Sequence, residues 1–142
     1  MIYKDASIGN FVNIAVVKFT VLNEKEASEI IQSPATQTLG NFCRWQKMYN
    51  QQHDWNFFHY DTAILLIRKN LCQKNDNCDT LGLAQSGRIC DTSSSCSIVE
   101  DNGLAAAFTI AHELGHMCVH VLLSINLDCS FQFILFQTRN TS

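Results

Sequence analysis

The stretch GLAAAFTIAHELGHM, residues 103–117, constrains the fold more than any other part of this 142-residue chain. It is apolar, rich in alanine and preceded by the capping candidates Asp101 and Asn102, which predicts a helix. Other segments carry the pattern of strands. FVNIAVVKFTVL (11–22) is dense in β-branched and aromatic residues and predicts a buried strand, and TAILLIRK (62–69) a second. TLGLAQ (80–85), short and holding Gly82, suits an edge strand, and CSIVED (96–101) another short strand. Pro34 precedes the spacing Leu39, Phe42, Cys43, Gln46, Tyr49, which predicts an amphipathic helix with proline near its start. NEKEASE reads as a charged surface turn and QQHDWNFFHYD as a polar, aromatic loop. The order strand, helix, three strands, helix predicts an α/β fold built on a mixed sheet with packed helices.

Length predicts one domain, able to bury roughly two-thirds of its unfolded surface. At 46% hydrophobic and 16% charged the chain is not a disordered one. A net charge of −3 and no basic run exclude a nucleic-acid footprint. The tail CVHVLLSINLDCSFQFILF resembles a membrane span in hydropathy, but His120, Asn126 and Asp128 lie inside it, and a central Asp costs about 2.5–3.5 kcal/mol. No membrane span is expected. Seven cysteines, with Cys72 and Cys78 bracketing a short polar loop and no CxxC pair, indicate disulfides and an oxidising compartment. MIYKDASIGN has no apolar signal-peptide core, so the true N-terminus of an exported chain is expected upstream.

Within the helix, His112 and His116 are four residues apart and so lie on one face, about 6 Å from each other. Two imidazoles so placed can grip one zinc ion. Glu113, one position on, stands beside such an ion and can take a proton from its water and pass it to a leaving amine. The chemistry indicated is metal-assisted peptide hydrolysis. A catalytic zinc ordinarily has three protein ligands. In the frame HExxHxxGxxH the Gly slot is Val119 and the third His slot Leu122, and no Glu follows Glu113. His120 on a continuing helix is about 12 Å along the axis from His112, too far for zinc–nitrogen bonds near 2.0–2.1 Å. Asp128 is geometrically freer, with nothing specific to support it.

IYKDASIGNFVNIAVVKF, TLGNFCRWQ, YDTAILLIRKNLC, CDTLGLAQSGRICD and SCSIVEDNGLAAAFTIAHELGH together resemble the ADAMTS proteases, secreted metalloproteases with thrombospondin motifs in the reprolysin branch of the metzincins. The resemblance runs from Ile2 to Met117. It implies a metzincin-like α/β fold with an HExxH active-site helix, His112 and His116 as zinc ligands, and Glu113 as general base. It implies disulfides Cys43–Cys96 and Cys72–Cys78, with Cys90 matching a cysteine whose partner lies downstream. Asp54 and Asp61 match positions of a structural calcium site, and Gly82, Leu83 and Ala84 match the edge strand that receives an extended substrate. The implied partners are extracellular-matrix proteins such as proteoglycans or procollagen, and the implied location is extracellular.

The departures bear equally on function. The resemblance divides the chain into 1–117, a partial protease domain, and 118–142, an unrelated apolar tail of readthrough or alternative-exon origin. The family's first strand, interior to its sheet, lies upstream of residue 1, so the strands at 11–22 and 62–69 are expected to lack the neighbour between them. The third ligand is expected to have been cut off. Two functions follow from this: a zinc endopeptidase by ancestry, and a truncated, non-catalytic product that at most binds a partner. The chain as it stands is expected to be inactive and poorly folded alone.

Overall fold

A computed structural model describes residues 12–50, 59–74, 77–89, 91, 93–122 and 129–138, with backbone alone for 119–122 and 129–131. Five strands form one mixed sheet: β1 (Val12–Leu22), β2 (Thr62–Ile67), β3 (Gly82–Ala84), β4 (Cys96–Glu100) and β5 (Cys129–Thr138), in the order β1-β5-β2-β4-β3. All pairings are parallel except β3 with β4. Helices α1 (Glu24–Ile30) and α2 (Ala35–Tyr49) and the long helix α3 (Ala106–Leu122), entered through a 3-10 turn at Gly103–Ala105, complete the fold. The expected mixed α/β architecture is present.

Alternation along the central strands sorts the core into two layers. Ala63, Leu65 and Ile67 of β2, Cys96 and Ile98 of β4, and Ile134 and Phe136 of β5 pack with Leu39, Phe42 and Cys43 of α2. Ile64, Val99 and Phe133 face the other way, toward Ala106, Leu114, Met117 and Cys118 of α3. Thus α3 covers one face of the sheet and α2 the other. The Cys43–Cys96 disulfide ties α2 to β4 across 53 residues of sequence. Chain-entropy arithmetic for such a loop gives about 4 kcal/mol, against about 2 kcal/mol for Cys72–Cys78, six residues apart.

Three expectations need correction. The tail does not leave a gap between the strands at 11–22 and 62–69, because β5 lies between them. Cα partners run Val12↔Cys129 to Leu22↔Thr138 on one side and Thr62↔Phe133 to Leu66↔Gln137 on the other. A strand paired on both edges and covered on both faces needs apolar residues at successive positions. The run FILF therefore looks like a membrane stretch and is a sheet interior: Phe133, Ile134 and Phe136 are all buried. Among the described residues no helix is long and apolar enough to cross a membrane.

The strand at 11–22, expected to be buried, is instead an edge strand. Its end residues Val12 and Leu22 are buried, while Val16, Val17, Phe19 and Val21 are exposed, because among the described residues β5 is its one strand neighbour. Finally, NEKEASE is helix α1 rather than a turn. Asn23 accepts from the Glu26 amide at 2.9 Å and Glu26 accepts from the Asn23 amide at 3.0 Å, a reciprocal cap that fixes the helix start.

Two carboxylates lock β5 in place. Asp61 Oδ2 accepts from the Gln132 amide at 2.7 Å at its start. Asp101 Oδ2 accepts from Gln137 Nε2 at 2.8 Å and from Arg68 Nε at 2.9 Å, and its Oδ1 accepts from the Gly103 amide at 3.3 Å. One side chain therefore joins β5, the end of β2 and the entry to α3. Burial pushes the Asp101 carboxyl up, but the hydrogen bonds from Gln137, Gly103 and Arg68 outweigh it and hold the group below the usual carboxylate range.

Candidate metal centre

Helix α3 is amphipathic around a narrow polar side. Ala106, Glu113, Leu114, Met117 and Cys118 are buried, and His112 and His116 are exposed. Met117 is fully buried with Sδ 3.5 Å from Thr62 Oγ1, which anchors the middle of the helix on β2. The loop after β3 grips the same turn from the side: the Gly87 amide donates to the His116 carbonyl at 2.9 Å, with Gly87 at φ 69°. Only glycine takes that left-handed conformation without a steric cost.

These contacts fix the pitch and rotation of α3, and so the histidines. Their Nε2 atoms are 3.0 Å apart and their rings are nearly perpendicular, at 87°. Two zinc–nitrogen bonds of about 2.0–2.1 Å at a tetrahedral angle set the nitrogens about 3.3 Å apart. The pair therefore fits half of a zinc coordination shell with little adjustment. Among the described residues no group of three His, Cys, Asp or Glu side chains converges as a metal site.

Glu113 points to the sheet side of the helix and is 5% exposed. Burial pushes its carboxyl up, partly countered by the nearby His116 and His112. Its seat is made by Gly82. A Cβ at that position would come within 2.6 Å of Glu113 Oε1, 2.8 Å of Thr109 Cγ2 and 2.9 Å of Glu113 Cγ. The absent side chain at Gly82 lets β3 lie directly against the carboxylate. Gly82, Leu83 and Ala84 form the outermost strand, paired antiparallel to Val99, Ile98 and Ser97. An open cleft of about 520 Å³ between Asp79–Gly82 and the α3 residues Phe108, Thr109, His112 and Glu113 runs beside it.

The structure thus brings His112, His116, Glu113 and Gly82 into one place. Sequence reading assigned Gly82 to an edge strand and missed its packing on Glu113; a glycine within a strand pattern is the available signal for such a close approach. Asp61 lies elsewhere, with its Oδ1 3.9 Å from His59 Nε2 and its Oδ2 held by Gln132. Calcium takes six to eight oxygens, and Asp61 alone does not make such a site. Asp54, Cys90 and Asp128 lie outside the described residues, as does the side chain of His120. Both expected disulfides are formed.

The profile of the family described as Reprolysin (M12B) family zinc metalloprotease matches residues 2–130. The chain belongs to that family. Among its relatives it is 53% identical over 116 residues to "A disintegrin and metalloproteinase with thrombospondin motifs 20" of Mus musculus, a match covering 82% of this chain and 6% of that protein. It is 53% identical to the gon-1 member of Caenorhabditis elegans over 82% of this chain and 5% of that one. It is 51% identical to the member numbered 1 in Homo sapiens over 82% of this chain and 12% of that one. The chain spans about a tenth or less of the length of these relatives.

Proposed function

We propose that this chain carries the zinc-binding and proton-transfer core of a secreted metalloendopeptidase that acts on extracellular-matrix proteins, and that by itself it does not turn over peptide. The observation that carries the reading is the pair of converging Nε2 atoms at 3.0 Å with the buried Glu113 beside them. His112 and His116 would hold the metal. A zinc ion bound there supplies a polarised carbonyl and an acidified water. Glu113, whose burial raises its proton affinity, takes a proton and returns it to the leaving amine. The outer edge of Gly82–Ala84 offers backbone groups to an extended peptide lying along the cleft.

Residues 1–117 form the protease portion of this reading and 118–142 a segment of other origin that completes the sheet. The family profile runs past that boundary to residue 130 and ends before the buried half of β5. Calcium belongs to the reading through Asp61 together with Asp54. The two disulfides support an extracellular location. A second reading, a zinc-binding module without catalysis, is favoured by the two-ligand centre among the described residues.

Zinc titration of the purified chain tests the metal assignment, with a quenched matrix-peptide assay run in parallel. Binding that His112→Ala abolishes, without chelator-sensitive cleavage, is the expected result. Chelator-sensitive turnover would overturn the assignment of inactivity. Zinc binding unchanged in His112→Ala would overturn the centre.

A further inference from the structure

Phe108 stands 71% exposed on the α3 wall of the cleft beside β3, one helical turn before His112. A bare aromatic ring in a concave wall is apolar surface that a ligand can cover. The direction of the cleft follows from two contacts. Gly82 lies against Thr109 and Glu113, and the Gly87 amide holds the His116 carbonyl, so β3 and α3 run the same way along it. A peptide antiparallel to β3, the more stable pairing per residue, therefore runs from the His116 turn toward Phe108. The Glu100 amide donates to the Leu81 carbonyl at 2.8 Å, so by alternation Gly82 turns its own peptide groups to the outer edge. Leu83 packs in the α2 layer and Ala84 in the α3 layer, which puts Gly82, and Thr80 two residues before it, on the α3 face.

We infer that Phe108 is a specificity-determining residue of this cleft, selecting a large apolar side chain two positions C-terminal to the peptide residue that lies over Glu113, with Asp79 favouring a basic residue at the next position. This rests on the reading of Gly82–Ala84 as the ledge for an extended peptide. Peptide side chains opposite Gly82 and Thr80 share their face and project toward α3. Two residues of strand span about 6.7 Å, and the helical turn from His112 back to Phe108 rises about 6 Å. The two repeats match, so the side chain opposite Thr80 meets the Phe108 ring. Charge sets the neighbouring preference. The cleft carries the carboxylates of Asp79 and Glu113, and none of the described residues lining it is Lys or Arg. Asp79 is exposed and stands opposite the third position on, where a basic side chain gains and an acidic one is repelled.

Fluorescence anisotropy of the full chain in chelator, with blocked and labelled octapeptides of alanine and serine, tests the proposal without turnover. One peptide carries phenylalanine followed by lysine near its C-terminal end; the others replace the phenylalanine by serine or the lysine by glutamate. The phenylalanine peptide should bind at least about fivefold tighter than its serine counterpart. Lysine should be preferred to glutamate by about threefold, a preference that fades at high salt. Phe108→Ser should abolish the first preference and keep the second, and Asp79→Asn should do the reverse. A spin label on the peptide N-terminus should broaden the Gly87 amide signal more than that of Asp79. Equal binding of the phenylalanine and serine peptides, or a preference retained in Phe108→Ser, would overturn the role of Phe108 and leave the ledge standing. A lysine preference missing from the wild type, or kept in Asp79→Asn, would overturn that of Asp79. Broadening centred on Asp79 would overturn the placement of the peptide, and no binding by any peptide would overturn the ledge as well.

Discussion

Replacing Phe136 by Ala asks whether the C-terminal segment is part of the core or an appendage. Phe136 is fully buried in β5, in the face of the sheet covered by α2. Its ring stands edge-on to three others: Trp45 at 5.0 Å, Tyr49 at 5.3 Å and Phe42 at 5.8 Å between centroids. Truncating a buried Phe costs about 3–5 kcal/mol, and edge-to-face pairs add to area burial. The pairs share one ring, so they are not summed; about 4 kcal/mol is expected. For a domain whose total stability is about 5–15 kcal/mol, that is a large share. Urea unfolding followed by circular dichroism reads it as a midpoint shift of about 2 M at a slope of about 2 kcal/mol/M. Phe136→Leu gives a smaller shift in the same direction, which keeps the test usable if the alanine variant does not fold. Phe19→Ser is the control, because Phe19 is 53% exposed on the edge strand and should change stability by about 0.5 kcal/mol or less. A Phe136→Ala midpoint no different from the Phe19 control would refute the central placement of β5.

Gly82→Ala forces a methyl group against the Glu113 carboxylate and Thr109, so it should cost about 1–3 kcal/mol and drive Glu113 toward water. Carbon-detected NMR should then show the Glu113 pKa moving back toward the ordinary range; an unchanged titration and stability would refute the close packing. Asp101→Asn should cost about 1–2 kcal/mol at neutral pH, a figure discounted because Arg68 is 41% exposed. The Asp101 carboxyl is lowered in the folded state, so its contribution is present above the unfolded carboxylate pKa and is lost as pH falls through the folded value. Wild type and variant unfolding curves should therefore converge in acid and separate at neutral pH, and a pH-independent difference would contradict the assignment.

Much of the local structure was legible. Pro34 at the start of α2, the 3-4-3-3 spacing along that helix, the apolar run of β2 and the alanine-rich start of α3 each depend on neighbours within a few residues. Helix α1 was misread because the charged run outweighed a single reciprocal cap between Asn23 and Glu26. The exposure of β1 was illegible for a different reason. An apolar strand reads the same at the edge of a sheet and in its middle, and β5 is what places it at the edge.

The sequence by itself put two histidines and a glutamate on one helical turn, and a helix fixes their relative directions. It also determined the family, through residues that match over most of the chain. Tertiary structure decided what surrounds them. Only the sheet could put Gly82 against Glu113, and only strand pairing could turn an apolar tail into the strand between β1 and β2. Such contacts join residues far apart in the chain, and no local pattern records them.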